Sequence, residues 1–272
     1  MVPRWLLMVL ALRWLLLPAT ASGQVVKVGT TESHPTRADQ LAIGNQSPDL
    51  EDVVERIISR TNAFRHQKGR PTLATNPQLT ATAQDFATFM ARTNQYGHTA
   101  DGQQPAARAQ AHGYDACLIA ENIAYQDNPA GFTTEALAQE FFQGWQHSPD
   151  HRENLLDPAI TETGVGVAQS ERTGAYYAVQ LFGRPTSQQI EFQITNTSNV
   201  AIPYTIDGQM MSLLPQSTHT HQQCRPAEVT FYWPDTQEQK TVHPKSGNRY
   251  TIVRGDAGKF WLSRNCRDGS SL

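Results

Sequence analysis

Leu50, Val53, Val54, Ile57, Ile58, Thr61 and Phe64 recur three and four positions apart, which predicts a helix with one buried stripe. Ahead of it, Ser47-Pro48-Asp49 reads as the start: Ser47 as cap, Pro48 in the first helical position, and Asp49, Glu51 and Asp52 against the positive end of the helix dipole. Gly69 and Pro71 end it. Asn76-Pro77 opens a second helix by the same device, with Leu79, Ala83, Phe86 and Met90 on one face and an end near Arg92. A short helix from Pro105 to His112 follows, closed by Gly113 in a left-handed cap. Thr133 or Thr134 caps the next, where Leu137, Phe141 and Trp145 stand four apart and belong to a core. Ser148-Pro149 then begins a new helical turn with His151 in its first turn, where the dipole disfavours a charged imidazole.

From Thr163 the period shortens. Val165 and Val167 alternate with small residues, Glu171-Arg172-Thr173-Gly174 makes a turn, and Tyr176 to Phe182 returns, the pattern of a β-hairpin. Arg184-Pro185-Thr186-Ser187 marks a boundary. Beyond it the runs Ile190–Ile194, Ile202–Ile206, Glu228–Trp233 and Arg249–Val253 are split by turn residues and show no helical period. They predict a small all-β sandwich or barrel over residues 187–272.

The 272 residues have room for one large or two modest domains. A net charge of -3, with 22 basic residues scattered rather than gathered, gives no electrostatic case for nucleic acid. Residues 1–21 read as an export signal: Arg4, the apolar runs Trp5–Leu12 and Trp14–Leu17, and the small residues Ala19-Thr20-Ala21 for cleavage. Arg13 interrupts the apolar run, so no spanning helix is expected after cleavage. Residues 22–47, rich in Thr, Ser, Gln and Gly, read as a linker. The expected location is therefore secreted, extracellular or periplasmic.

The three cysteines suit an oxidising compartment. Cys224 and Cys266 are near in sequence and could close a loop of about 40 residues, worth roughly 4 kcal/mol in the chain-entropy account. Cys117, inside the apolar run Ala116–Ala120, then reads as a buried, inert thiol.

The candidate chemistry lies between Tyr96 and Leu156. Gly97-His98-Thr99, Ala120-Glu121-Asn122-Ile123-Ala124 and Trp145-Gln146-His147-Ser148-Pro149-Asp150-His151-Arg152 place two histidines and a carboxylate, expected on turns beside helices. His98 and His151 are 53 positions apart with no local metal-ligand spacing around either. His219 and His221, two apart, would share a face on a strand and could bind a metal together, although a polar edge strand is the simpler explanation. No phosphate loop, Gly-x-Ser-x-Gly or His-Glu-x-x-His occurs.

The order of Tyr-Gly-His-Thr, Ala-Glu-Asn-Ile-Ala, Ser-Pro-Asp-His-Arg-Glu-Asn-Leu-Leu, Thr-Gly-Val-Gly-Val-Ala and Tyr-Tyr-Ala-Val-Gln-Leu-Phe-Gly resembles the CAP superfamily of cysteine-rich secretory, antigen 5 and pathogenesis-related 1 proteins, in its bacterial SCP form. The resemblance covers residues 48–185 and implies an α+β fold, an α-β-α sandwich, followed here by the small all-β domain. It implies a cleft with two histidines and two acidic residues, in which His98 and His151 would hold a divalent metal such as Zn2+ and Glu121 would be the carboxylate. The leading functional reading is binding of a lipid or peptide ligand in this cleft, with the β domain, which lies outside the resemblance, expected to meet a cell-envelope or protein partner. The alternative it implies is a metal-dependent peptidase using Glu121 as general base. Two positions depart from the pattern. Ala120 stands where glycine usually precedes the Glu-Asn pair, and Ser148 where a second glutamate follows the helix tryptophan; Glu140, the nearest acid, reads as solvated.

Overall fold

The computed structural model describes residues 47–266; the expected signal and nearly all of the expected linker lie outside the described residues. The first half runs α1 (Leu50–Gln67), β1 (Ala74–Thr75), α2 (Pro77–Thr93), α3 (Pro105–Ala111), β2 (Ala116–Gln126), α4 (Thr134–His147), α5 (Pro149–Leu156), β3 (Glu162–Gln169) and β4 (Tyr176–Pro185). The cap of α1 is Asp49, whose carboxylate accepts from the amides of Glu51 at 3.0 Å and Asp52 at 3.3 Å. This corrects the expectation of a Ser47 cap: an ionised acceptor outcompetes a hydroxyl at the positive end of a helix. The Asp49 amide in turn donates to Thr134 Oγ1 at 3.0 Å, while Thr133 caps α4, so the starts of α1 and α4 are tied together. Asn76 caps α2 as its sequence predicts, accepting from Gln78 and Leu79, and Gly113 takes φ +81° beyond α3.

The four strands form a sheet in the order β1-β3-β4-β2, antiparallel except for the short β1–β3 pair. Along β4, Tyr176, Ala178 and Phe182 join a core with α1, α4 and α5, while Tyr177, Val179 and Leu181 join another with α2 and α3. A strand covered on both faces reads as a continuous apolar run. Its one interruption, Gln180, is wholly buried and donates to Thr61 Oγ1 at 3.1 Å and Thr163 Oγ1 at 3.2 Å, so the polar group is satisfied. The small residues of Thr163–Val167 have a packing reason. A Cβ on Gly164 would lie 2.2 Å from the Thr80 amide nitrogen, and one on Gly166 2.3 Å from that of Gln84, so α2 rests directly on the backbone of β3.

A 3-10 turn, Thr186–Gln188, leads into eight strands: β5 (Ile190–Asn196), β6 (Ile202–Ile206), β7 (Gln209–Leu213), β8 (Ser217–Gln223), β9 (Val229–Tyr232), β10 (Gln239–Val242), β11 (Asn248–Arg254) and β12 (Phe260–Cys266). They form two four-stranded sheets, β10-β9-β6-β7 and β12-β11-β5-β8, antiparallel but for β5 beside β11, around one core that includes Phe192, Ile194, Tyr204, Phe231 and Tyr250. The expected β domain is thus a sandwich. The four strands that its sequence announces, β5, β6, β9 and β11, are the inner strands of the two sheets, and the unannounced four are the edges.

Cys224, just past β8, bonds to Cys117, 107 positions earlier, with 5.4 Å between their Cα atoms. The expected Cys224–Cys266 pairing and the inert Cys117 are therefore both corrected. The register of β2 on β4 shifts between Ala116 and Leu118, making Cys117 the extra residue of a bulge, a device that re-aims a side chain. The bridge and the neighbouring Arg225–Asp157 ion pair at 2.7 Å bind the sandwich to the first domain. Non-reducing peptide mapping is expected to recover the Cys117 and Cys224 peptides as one linked species, and Cys117→Ser should cost about 4–5 kcal/mol in the chain-entropy account of a loop this long. A Cys224–Cys266 peptide would contradict the pairing.

Candidate ligand site at the edge of strand β2

Strand β2 is the outer strand of its sheet, so one row of its backbone groups faces away from β4. Side chains cover that row in place of another strand. The carbonyl of Ile123 accepts from Tyr96 Oη and Trp145 Nε1, each at 3.1 Å, and that of Glu121 accepts from Asn154 Nδ2 at 3.4 Å. Glu121 lies within this strand, not on a turn, which corrects its expected placement. The strand also removes the difficulty at Ala120, which pairs with Phe182 in extended backbone and needs no positive φ.

Successive residues of a strand point to opposite faces, and Glu121 and Asn122 use this to organise both sides of the edge. Glu121, 6 % exposed, faces α3. Arg108 Nη2 donates to its Oε2 at 2.7 Å, and His98 Nδ1 lies 2.8 Å from its Oε1. Because an ionised carboxylate only accepts, Nδ1 carries the ring proton and Nε2 of His98 is left with a lone pair. Arg108 further donates to the His98 carbonyl at 3.0 Å and to Asp101 Oδ1 at 2.9 Å, and its guanidinium lies 3.6 Å from the Phe86 ring centroid. It therefore fixes both the carboxylate and the loop that carries His98. Gly97, at φ +144°, supplies the backbone turn into that residue.

Asn122, wholly buried, faces α5. Its Nδ2 donates to the His151 carbonyl at 3.0 Å and its Oδ1 accepts from Asn154 Nδ2 at 2.9 Å. His151 is held in the first turn of α5, as its sequence predicts. Burial pushes its pKa below the ordinary 6.5, repulsion from the His98 ring whenever that ring is protonated adds to this, and Asp150 opposes it. The direction is the one the helix position leads one to expect, and desolvation is its largest cause.

Beyond the histidines the same edge carries two exposed aromatic rings, Tyr96 and Tyr125, with centroids 5.2 Å apart. Glu140 is exposed on α4 and takes no part, and Ser148, in the place of a second acid, joins α4 to α5. Arg108, Asn122, Asn154 and Tyr125 are the site residues that sequence reasoning missed. Arg108 had one visible sign, as the lone charge on the otherwise neutral helix Pro105–Ala111.

The donor set fits a divalent ion only in part. A histidine whose Nδ1–H is held by a carboxylate presents Nε2 in the manner of metal-bound imidazoles, and a neutral His151 is equally suited. Among the described residues no group of three or more His, Cys, Asp or Glu is arranged for a metal. An ion on these two rings would draw its other ligands from water or from a bound molecule.

The lowered pKa of His151 has a consequence for pH. The folded state resists protonation that the unfolded chain accepts, so its stabilising share is present above pH 6.5 and is lost as pH falls through the lowered value. An NMR titration is expected to show the His151 ring midpoint below 6.5 in the folded protein, and a midpoint at or above 6.5 would contradict its burial.

Comparison with known proteins agrees with this architecture. Residues 58–182 match the model of the CAP family, the cysteine-rich secretory protein family. The chain is 25% identical over 157 residues to the uncharacterized protein YkwD of Bacillus subtilis (strain 168), a match covering 57% of either chain, so it spans little more than half the length of that curated relative. Among solved structures, an extracellular protein containing a SCP domain from Bacillus anthracis str. Ames is 28% identical with a TM-score of 0.42, over 49% of this chain and 41% of that one. An outer surface protein of Borrelia burgdorferi aligns at 18% identity and a TM-score of 0.45, over 52% and 98% respectively. Similar structures are thus described as extracellular or outer surface proteins, and no helix among the described residues is long and apolar enough to cross a membrane. With the three-layer fold and the ordered His98, Glu121 and His151 motifs, the match over residues 58–182 identifies the first domain as a CAP domain of the bacterial type.

Proposed function

We propose that this is an exported ligand-binding protein whose CAP domain captures a small lipid or peptide at the edge of β2. The observation that carries the reading is the engagement of both Glu121 oxygens, one by Arg108 at 2.7 Å and one by His98 at 2.8 Å. A general base must be open to the water it activates, and the Glu121 carboxylate is almost wholly covered. A buried carboxylate already shared between a guanidinium and an imidazole is better suited to hold His98 than to move protons, which weighs against the peptidase reading. The exposed Tyr96 and Tyr125 rings on the same β2 edge offer apolar surface to an organic ligand, and His98 Nε2 and His151 offer two neutral nitrogens to its polar end. A divalent ion held by His98 and His151 would supply positive charge for an anionic group of that ligand. The β sandwich, held rigidly to the domain by Cys117–Cys224, is suited to present it to a cell-envelope or protein partner.

Two assays separate binding from hydrolysis. Binding of a fluorescent fatty acid and of a labelled random peptide mixture, each with and without Zn2+, is expected to detect retention of one of them that His98→Ala or His151→Ala weakens at least tenfold. Zn2+-dependent cleavage of the peptide mixture, abolished in a folded Glu121→Ala variant, would overturn the binding reading in favour of a peptidase.

A further inference from the structure

The sandwich brings a second set of donor atoms together, away from the β2 edge. Strand β8 is the outer strand of its sheet and pairs antiparallel with β5, His219 opposite Ile194 and His221 opposite Phe192. On β8 the two histidines are half-buried while Thr218, Thr220 and Gln222 are exposed, so both imidazoles turn toward the other sheet. From that sheet Tyr204, on β6 and wholly buried, places its hydroxyl 2.8 Å from His219 Nδ1 and 3.0 Å from His221 Nε2. Two imidazoles of one strand thus each direct a nitrogen at the hydroxyl that the facing sheet supplies. Hydrogen bonding alone accounts for the contacts, the hydroxyl donating to one ring and accepting from the other. It does not account for two imidazoles where one polar neighbour would satisfy the hydroxyl.

We propose that Tyr204, His219 and His221 form a transition-metal site with a preference for Cu2+. Two imidazole nitrogens and a phenol oxygen are donors that copper binds more tightly than the other divalent first-row ions. The two oxygen–nitrogen spacings, 2.8 and 3.0 Å, agree with neighbouring positions of tetragonal geometry, where two ligands about 2.0 Å from an ion and at right angles to each other stand about 2.8 Å apart. Binding exchanges the hydrogen bonds for metal bonds. The ring whose N–H faces Tyr204 moves that proton to its other nitrogen by exchange with solvent. Tyr204 releases its phenolic proton to solvent, and two nitrogens and a phenolate then face the ion with lone pairs. No electron is transferred. The site is independent of His98 and His151 and of the function proposed for them.

The test is a Cu2+ titration of the full chain carrying His98→Ala and His151→Ala, so that the β2 edge cannot contribute. The expected result is one bound Cu2+ with a phenolate-to-copper absorption band. His219→Ala or His221→Ala should weaken binding at least tenfold, and Tyr204→Phe should remove the band while far-ultraviolet circular dichroism shows the sandwich still folded. Should Tyr204→Phe fail to fold, His219→Gln and His221→Gln carry the same test of affinity. No binding, or binding and a band unchanged by these substitutions, would overturn the proposal.

Discussion

A carboxylate buried beneath the surface requires a partner, and Glu121 sets that requirement for the whole first domain. The desolvation cost of such an ion is several kcal/mol, and removing one member of a buried pair typically costs about 3–5 kcal/mol because the other is left uncompensated. Arg108 is that partner, 6 % exposed like Glu121 itself. Its position demands the short helix α3, the Phe86 ring beneath it and the Asp101 carboxylate beside it. The loop carrying His98 is fastened by the same guanidinium. One ion pair therefore determines where a histidine stands 23 positions away from its glutamate.

The other half of the site follows from the pleat. Asn122 points oppositely to Glu121 and binds the His151 turn, so adjacent residues of one strand hold histidines from loop and helix on its two sides. This explains why the edge of β2 is open to such use. The outward carbonyls of Glu121 and Ile123 are occupied by Tyr96, Trp145 and Asn154, which obstructs strand addition at the middle of β2 and leaves side chains to meet a ligand there. At its beginning the same strand bulges at Cys117 and bonds the sandwich.

Helices were the most legible part of the sequence, because Leu79, Ala83, Phe86 and Met90, or Leu137, Phe141 and Trp145, carry a full period and become wholly or almost wholly buried. In the sandwich legibility followed position. Inner strands such as Ile190–Asn196 alternate visibly, whereas the edge strand Ser217–Gln223 contains no aliphatic or aromatic hydrocarbon residue and is polar on its open side. β2 was hidden because both its faces are covered, so its alternation is between two cores and not between core and water. Of the site, His98, Glu121 and His151 were visible through the ordered motifs of a family resemblance. Arg108 and Asn122 were not, since a buried ion pair and a buried amide depend on which segments fold against β2. The disulfide was misread for a related reason: short sequence separation favours Cys224–Cys266, but a bulge in a distant strand decides the pairing.

His98 and His151, held on opposite faces of the β2 edge, are proposed to act as one site. Calorimetric titration with Zn2+ of the wild type, His98→Ala, His151→Ala and the double variant measures this directly as a double-mutant cycle. About one ion is expected on the wild type, with a loss of tenfold or more (roughly 1.4 kcal/mol or above) in either single variant and little further loss in the double. Losses that simply add, or binding indifferent to both substitutions, would show that the two imidazoles do not share a ligand.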